Sequence, residues 1–293
     1  MVAQPPRDER QSWIEVAAPI LTASSQDGGQ QVTSGGKTHY ATRLAVTTHD
    51  LFHPGTADLP FYLDCARRFE GPILELGTGT GRVLIALAET GYEIVGVEVS
   101  VAMLEAASAK IAKRPAAAAR IRLVDADMKD FALQQTFSLV MIPARAFQFL
   151  LTTVDQRLAL NCIRRHLVSG GHLVVDLFDP NFEGLLTADF RNRFTREVRD
   201  PRSGHRFRRA VVARNVDWIL QRLDETLRIE ELDGDGNVVD SEDSSWSLRW
   251  TMRQEMAYLF ELCGFEPIEH YSDFRGSAPA YGREQLWVAR AIR

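Results

Sequence analysis

At 293 residues, 45% apolar and 25% charged, the chain has an ordinary globular composition and length for one large α/β domain with an embellishment, or for two modest domains. Its 34 basic against 39 acidic residues give a formal net charge of −5, which supplies no global pull toward nucleic acid or an anionic membrane, so neither is expected as a partner. Cys65, Cys162 and Cys263 are far apart and form no Cys-x-x-Cys, and no apolar run approaches the length of a signal peptide or membrane span, so a reducing cytoplasm is expected without disulfides or zinc.

Residues 1–38 are rich in Gln, Ser, Gly and Pro, bury little, and read as a mobile tail. Tyr40 to Phe69 has helical spacing broken at Pro54-Gly55. The apolar run Ile73–Leu76 then meets three alternate glycines, Gly77, Gly79 and Gly81, before a helical pattern opens at residue 82. Further alternating units predict strands at 93–98, 120–125, 137–142 and 172–178 and helices at 101–113 and 155–168. After Pro180 four strand-like segments between residues 194 and 248 predict an antiparallel excursion. Thr251 with Gln254 predicts a capping-box start, and strands near 265–271 and 285–292 end the chain. The expected organisation is a tail (1–38), a doubly wound core (39–182), an antiparallel β insertion acting as substrate lid or dimer contact (183–248), and a C-terminal helix with the last two strands (249–293).

A strand, a glycine turn and a helix start bring bare backbone and unpaired N–H groups toward a nucleotide-like ligand. The spacing disfavours a dinucleotide fingerprint, because Arg82 falls where its last glycine belongs, and no Gly-Lys-Ser/Thr follows to make a phosphate-cradling loop. Right-handed crossovers should gather Glu75, Glu98, Asp127 and Pro143 at one rim. Glu98 lies 21 residues after Gly77, where a strand-end carboxylate can accept two ribose hydroxyls; Asp127 can accept from an adenine amino group while Met128 packs on the ring.

Glu75-Leu-Gly77-Thr78-Gly79-Thr-Gly81 resembles the first motif of class I S-adenosylmethionine (SAM)-dependent methyltransferases. Val95-Gly-Val-Glu98-Val99-Ser100-x-x-Met103, Asp127-Met128 and Leu167-Val-Ser-Gly170-Gly171 extend the resemblance over roughly 46–182 and 248–293. It implies a seven-stranded, mostly parallel Rossmann-like sheet with an antiparallel last strand, and SAM as cofactor. By the same resemblance Gly77, Gly79 and Gly81 approach the methionyl and ribose parts, and Glu75 orders the turn or meets the amino group. Glu98 takes the ribose, Val99 and Met103 flank the adenine, and Pro143 and Ala144 lie beside the donor methyl.

The expected function is methyl transfer by in-line displacement to a small-molecule acceptor, with nitrogen slightly favoured over oxygen. The alternative is a non-catalytic protein that binds SAM or S-adenosylhomocysteine (SAH) as a regulator or scaffold. A sulfonium is already a good leaving group, so no metal is needed, and positioning can contribute about 7–11 kcal/mol. His49 and Arg145 are the catalytic candidates. In His49-Asp-Leu-Phe-His53-Pro54 histidines replace the tyrosines of a relative's Tyr-Asp-x-x-Tyr-Pro; Arg145 can hold an acceptor carboxylate or phosphate, and Gln148 can orient an acceptor. Ile142-Pro143-Ala144-Arg145 replaces the Asn/Asp-Pro-Pro-Tyr of nucleic-acid amino methyltransferases and argues against base methylation. Trp218, Trp246, Trp250 and Tyr281 are candidates to line an acceptor pocket. A homodimer is a further expectation.

Overall fold

Alternate residues of a strand face opposite sides of its sheet, and here that alternation sorts the core into two layers. The computed structural model describes residues 40–186 and 195–292; the expected tail lies outside them. Strands β1 (Ile73–Leu76), β2 (Ile94–Glu98), β3 (Ile121–Asp125), β4 (Phe137–Ile142), β5 (Leu167–Phe178), β10 (Phe265–Tyr271) and β11 (Glu284–Ala291) form one sheet. Their order is β10-β11-β5-β4-β1-β2-β3, parallel from β5 to β3 and antiparallel at β5/β11 and β10/β11.

Leu74, Leu76, Val95, Val140, Ile142 and Val175 face one layer, completed by α6 (Thr153–His166) and α8 (Arg253–Leu262). Ile73, Ile94, Leu139, Met141 and Val174 face the other, covered by α2 (Leu59–Phe69) and α3 (Arg82–Glu89). Each such fully buried side chain contributes about 1.5–3 kcal/mol, which is why β1 and β2 are buried throughout. The strand order reverses between β1 and β4, and both crevice walls carry expected site residues.

A second, antiparallel sheet holds β6 (Arg196–Arg199), β7 (Arg206–Asp217), β8 (Arg222–Leu232) and β9 (Val238–Arg249) in chain order. Helix α1 (Arg43–Phe52) joins it to the core: Leu44, Ala45 and Phe52 pack on Phe207 and Ile229. Among the described residues the remaining α-helices are α4 (Val101–Ile111) and the short α5 (Pro115–Ala118) and α7 (Phe182–Leu186).

Two of the shifts from the expected boundaries have a tertiary cause. Strand β5 starts at Leu167, ahead of the expected 172, because Leu167 pairs with Phe137 before an irregularity that Gly170, at φ 75°, accommodates. The cap of α8 falls one residue later than Thr251: the Met252 N–H donates to Glu255 Oε2 at 3.2 Å, while the buried Thr251 hydroxyl accepts from Gln156 Nε2 at 2.9 Å.

Candidate functional site

The glycine turn at the end of β1 is held by the neighbouring strand. Gly77 and Thr78 both donate to the Val97 carbonyl, at 2.8 and 3.2 Å. Gly77, Gly79 and Gly81 all have positive φ (71°, 57° and 81°), the left-handed region that side chains disfavour. A Cβ on Gly77 would lie 2.5 Å from Ala146 Cβ, whereas one on Gly79 would meet nothing within 4 Å. The turn therefore packs against protein at its first glycine and opens to solvent at its second.

Glu98 secures that opening. Its Oε2 accepts from Gly79 N–H at 2.9 Å and its Oε1 from Val99 and Ser100 N–H, each at 2.9 Å. An ionised carboxylate has about four acceptor sites, so the backbone takes most of them and leaves a narrower place for a ribose hydroxyl than the sequence suggested. Ser100 caps α4 by accepting from Met103 N–H, and Met103 is buried.

Behind the turn, Glu75 is 2% exposed and its Oε2 has no hydrogen-bond partner. Burial pushes its carboxyl up to about 8, with Glu98 and Asp58 adding to the effect and Arg82 opposing it. Arg82 is itself committed to Asp58 in a bidentate pair. A buried carboxylate oxygen without a donor fits a ligand that brings its own cation, as a methionyl ammonium would.

The turn's outer side is tied to α1. Asp50 accepts from Thr80 Oγ1 at 2.6 Å and Lys110 Nζ at 2.8 Å. Partial burial favours its neutral acid, but hydrogen bonds from His49, Lys110 and Thr80 outweigh it and hold the carboxyl well below its ordinary value. Neither Thr80 nor Lys110 stands out by spacing.

Farther along the rim, Asp127 Oδ1 accepts from Lys129 N–H at 3.0 Å, and Lys129 Nζ lies 3.6 Å from Asp127 Oδ2 and 3.2 Å from Asp155. Met128 approaches the turn: its Cε is 3.7 Å from where a Gly77 Cβ would be. After β4, Pro143 is buried, and Ala144 and Arg145 both have positive φ (53° and 65°). Such backbone costs about 1–3 kcal/mol per residue and persists where surroundings enforce it. Here the Ala144 N–H donates to Asp176 Oδ2 at 3.1 Å, and Arg145 pairs with Glu284.

Asp176 was not singled out from sequence, since it sits inside an apolar run. It is buried, its Oδ1 has no partner, and burial followed by repulsion from Glu284 raises it to about 7, with Arg145 opposing. Gln148 is a correction. It is fully buried; its Oε1 accepts from Phe178 N–H at 2.9 Å and its Nε2 donates to the Arg249 carbonyl at 3.4 Å. It fastens β5 to β9, so it does not orient an acceptor.

The mouth beside Glu98 is built from distant segments. Tyr40 accepts from Ser100 Oγ through its carbonyl at 2.7 Å, and its ring stands edge-on to His49 at 5.8 Å and Phe149 at 5.7 Å. Burial first, then Glu98, raise the Tyr40 hydroxyl far above the usual phenol range, so it stays protonated. Phe149 approaches Trp246 at 6.0 Å, and Trp246 Nε1 donates to buried Glu225, which pairs with Arg214. Only Trp246 of the expected aromatic lining joins this mouth. Trp218, Trp250 and Tyr281 cluster with Phe182 instead, and Trp250 is core.

A family model described as a methyltransferase domain matches residues 73–171. The cypemycin N-terminal methyltransferase of a Streptomyces species is 33% identical over 142 residues, which are 46% of this chain and 55% of that relative's length. The match thus spans about half of that relative. Among solved structures, the CcbJ methyltransferase from Streptomyces caelestis superposes with a TM-score of 0.71 at 25% identity, covering 88% of this chain and 99% of that one. The sugar N-methyltransferase KedS8 from Streptoalloteichus shares the fold at TM-score 0.66 and 21% identity, covering 92% of this chain and 100% of that one.

Proposed function

We propose that the chain is a class I SAM-dependent methyltransferase that transfers a methyl group to a small molecule, on nitrogen in preference to oxygen. When bound, SAM supplies an electrophilic methyl on a sulfonium. The observation that carries the reading is the pairing of a glycine turn open at Gly79 with the donorless buried Glu75 oxygen behind it. Gly77, Thr78, Gly79 and Gly81 present backbone, Glu75 faces the ammonium, Glu98 holds the ribose, and Val99 flanks the adenine. Asp127, Met128 and Met103 border the adenine, and Pro143 borders the reacting end.

The antiparallel sheet covers the acceptor. His49, whose Nδ1 is 3.5 Å from Asp50 Oδ1, is the candidate general base for an amine at this mouth. Arg145 acts by bracing the strained loop through Glu284. The preference for nitrogen draws on relatives named as an N-terminal methyltransferase and a sugar N-methyltransferase.

Calorimetric titration with SAM, SAH and NAD tests the reading. Binding of both sulfur ligands and not of NAD is expected. Binding of NAD alone, or of none, defeats it; SAH formation with an amine panel then separates an enzyme from a silent binder.

A further inference from the structure

Two arginines of the antiparallel sheet stand directly opposite each other. Arg196 on β6 is in register with Arg209 on β7, and like charges so placed repel. Neighbouring arginines are neutralised: Arg206 by Glu197, Arg208 by Glu230, Arg214 by Glu225 and Arg228 by Asp243. Among the described residues, no carboxylate forms an ion pair with Arg196 or Arg209. Arg196 Nη1 donates to the Phe52 carbonyl at 3.1 Å. The Arg209 guanidinium lies 4.7 Å over the Phe52 ring, with Nη1 3.2 Å from His53 Nε2. Burial and then the Arg196 charge disfavour the Arg209 cation, while Tyr40 and Glu225 offset part of this.

This pair sits beside the acceptor mouth. The His53 ring is 4.7 Å from His49, which stands 5.8 Å from Tyr40, whose carbonyl is anchored by Ser100 next to Glu98. An uncompensated guanidinium pair fastened to α1 by neutral groups retains its repulsion until an anion bridges it, and guanidinium geometry suits carboxylate and phosphate oxygens. We propose that Arg196 and Arg209 bind a carboxylate or phosphate of the methyl acceptor, so that the substrate is an anionic small molecule whose reacting atom reaches the cofactor rim past His53 and His49. The assignment rests on the methyltransferase reading, which puts the acceptor at this mouth.

The test uses the full chain saturated with SAH and three probes that share one amine: glucosamine, glucosamine 6-phosphate, and muramic acid, which adds a carboxylate. At least one anionic probe should bind the SAH complex about tenfold or more tighter than glucosamine, the strength of one charge-assisted contact, and which one does so identifies the anion class. Arg196→Gln/Arg209→Gln should erase that preference. Arg209→Lys, which keeps the charge, should recover part of it, and SAH affinity reports that each variant is folded. If SAH binds the parent chain but all three probes bind alike, none binds, or the preference survives in the double variant, the anion assignment is overturned while the methyltransferase reading stands. If SAH itself fails to bind, that reading falls and takes the assignment with it.

Discussion

The proposed cofactor half of the site and the proposed acceptor half are built by different means. Around β1 and β2 the site is made of backbone and of carboxylates within one strand-helix-strand unit: Glu98 grips Gly79, 19 residues before it, and the adjacent Val99 and Ser100, and Gly77 hangs from Val97. Around the mouth it is made of side chains from remote segments: Tyr40, Phe149, Trp246 and Arg209. A short-range construction leaves a spacing in the sequence, and a long-range one leaves none. The cofactor half should accordingly tolerate little change, whereas the acceptor half can diverge while the fold persists.

The largest effect that would sharpen this contrast lies within the turn. Gly77→Ala places Cβ 2.5 Å from Ala146 Cβ at φ 71°, adding an overlap to a left-handed penalty of about 1–2 kcal/mol, so both stability and SAM binding should collapse. Gly79→Ala has the same kind of φ but no protein atom in the way, so it should lose only the left-handed penalty of about 1–2 kcal/mol in stability while still losing SAM affinity. Thermal melting and calorimetry on the two variants decide the point. Equal loss of stability in both would mean that the turn is a packing device and not a ligand cradle.

That turn was fully legible, as were β1 and β4, because an apolar run beside turn residues specifies a strand locally. Other features were not. Gln148 read as an acceptor-facing polar residue, but its partners lie at Phe178 and Arg249, and no local pattern encodes a contact made across two strands. Asp176 was hidden by its apolar neighbours, and its importance comes from burial against Tyr62 and the strained Ala144 backbone. The capping residue of α8 shifted because tertiary partners claimed the Thr251 hydroxyl.

Glu75 gives the next effect in size. With its carboxyl raised to about 8, the free protein holds a proton there at pH 7 that the unfolded chain, near 4.5, does not. The folded state binds the extra proton, so this group's contribution to stability is greatest below about pH 4.5 and falls as pH rises toward 8. A cationic ligand requires the ionised form, so binding releases a proton, and SAM affinity should rise by up to about tenfold per pH unit below 8 and then level off. Glu75→Gln should flatten that profile, weaken SAM, and make the free protein more stable at pH 8. A pH-independent affinity in the parent chain would detach Glu75 from the ammonium and leave the cofactor half resting on Glu98 alone.

Asp127 carries the smallest expected change and tests how far the cofactor half extends. Its Oδ1 already accepts from Lys129 N–H and its Oδ2 faces Lys129 Nζ, so an adenine amino group would share an acceptor that is in use. Losing a hydrogen bond to a free charged acceptor costs about 1.5–3 kcal/mol, and an oxygen already committed to Lys129 yields less, so a few-fold loss in affinity is expected. Asp127→Asn keeps the size and can keep one oxygen toward Lys129, but it presents an amide donor where the carboxylate accepted. The donor suits the carbonyl of hypoxanthine instead of the amino group of adenine. The variant should therefore bind SAH a few-fold more weakly and narrow the preference for SAH over its inosine counterpart, both measured by calorimetry. An unchanged preference would make Asp127 a turn residue and end the base-reading part of the site at Met128.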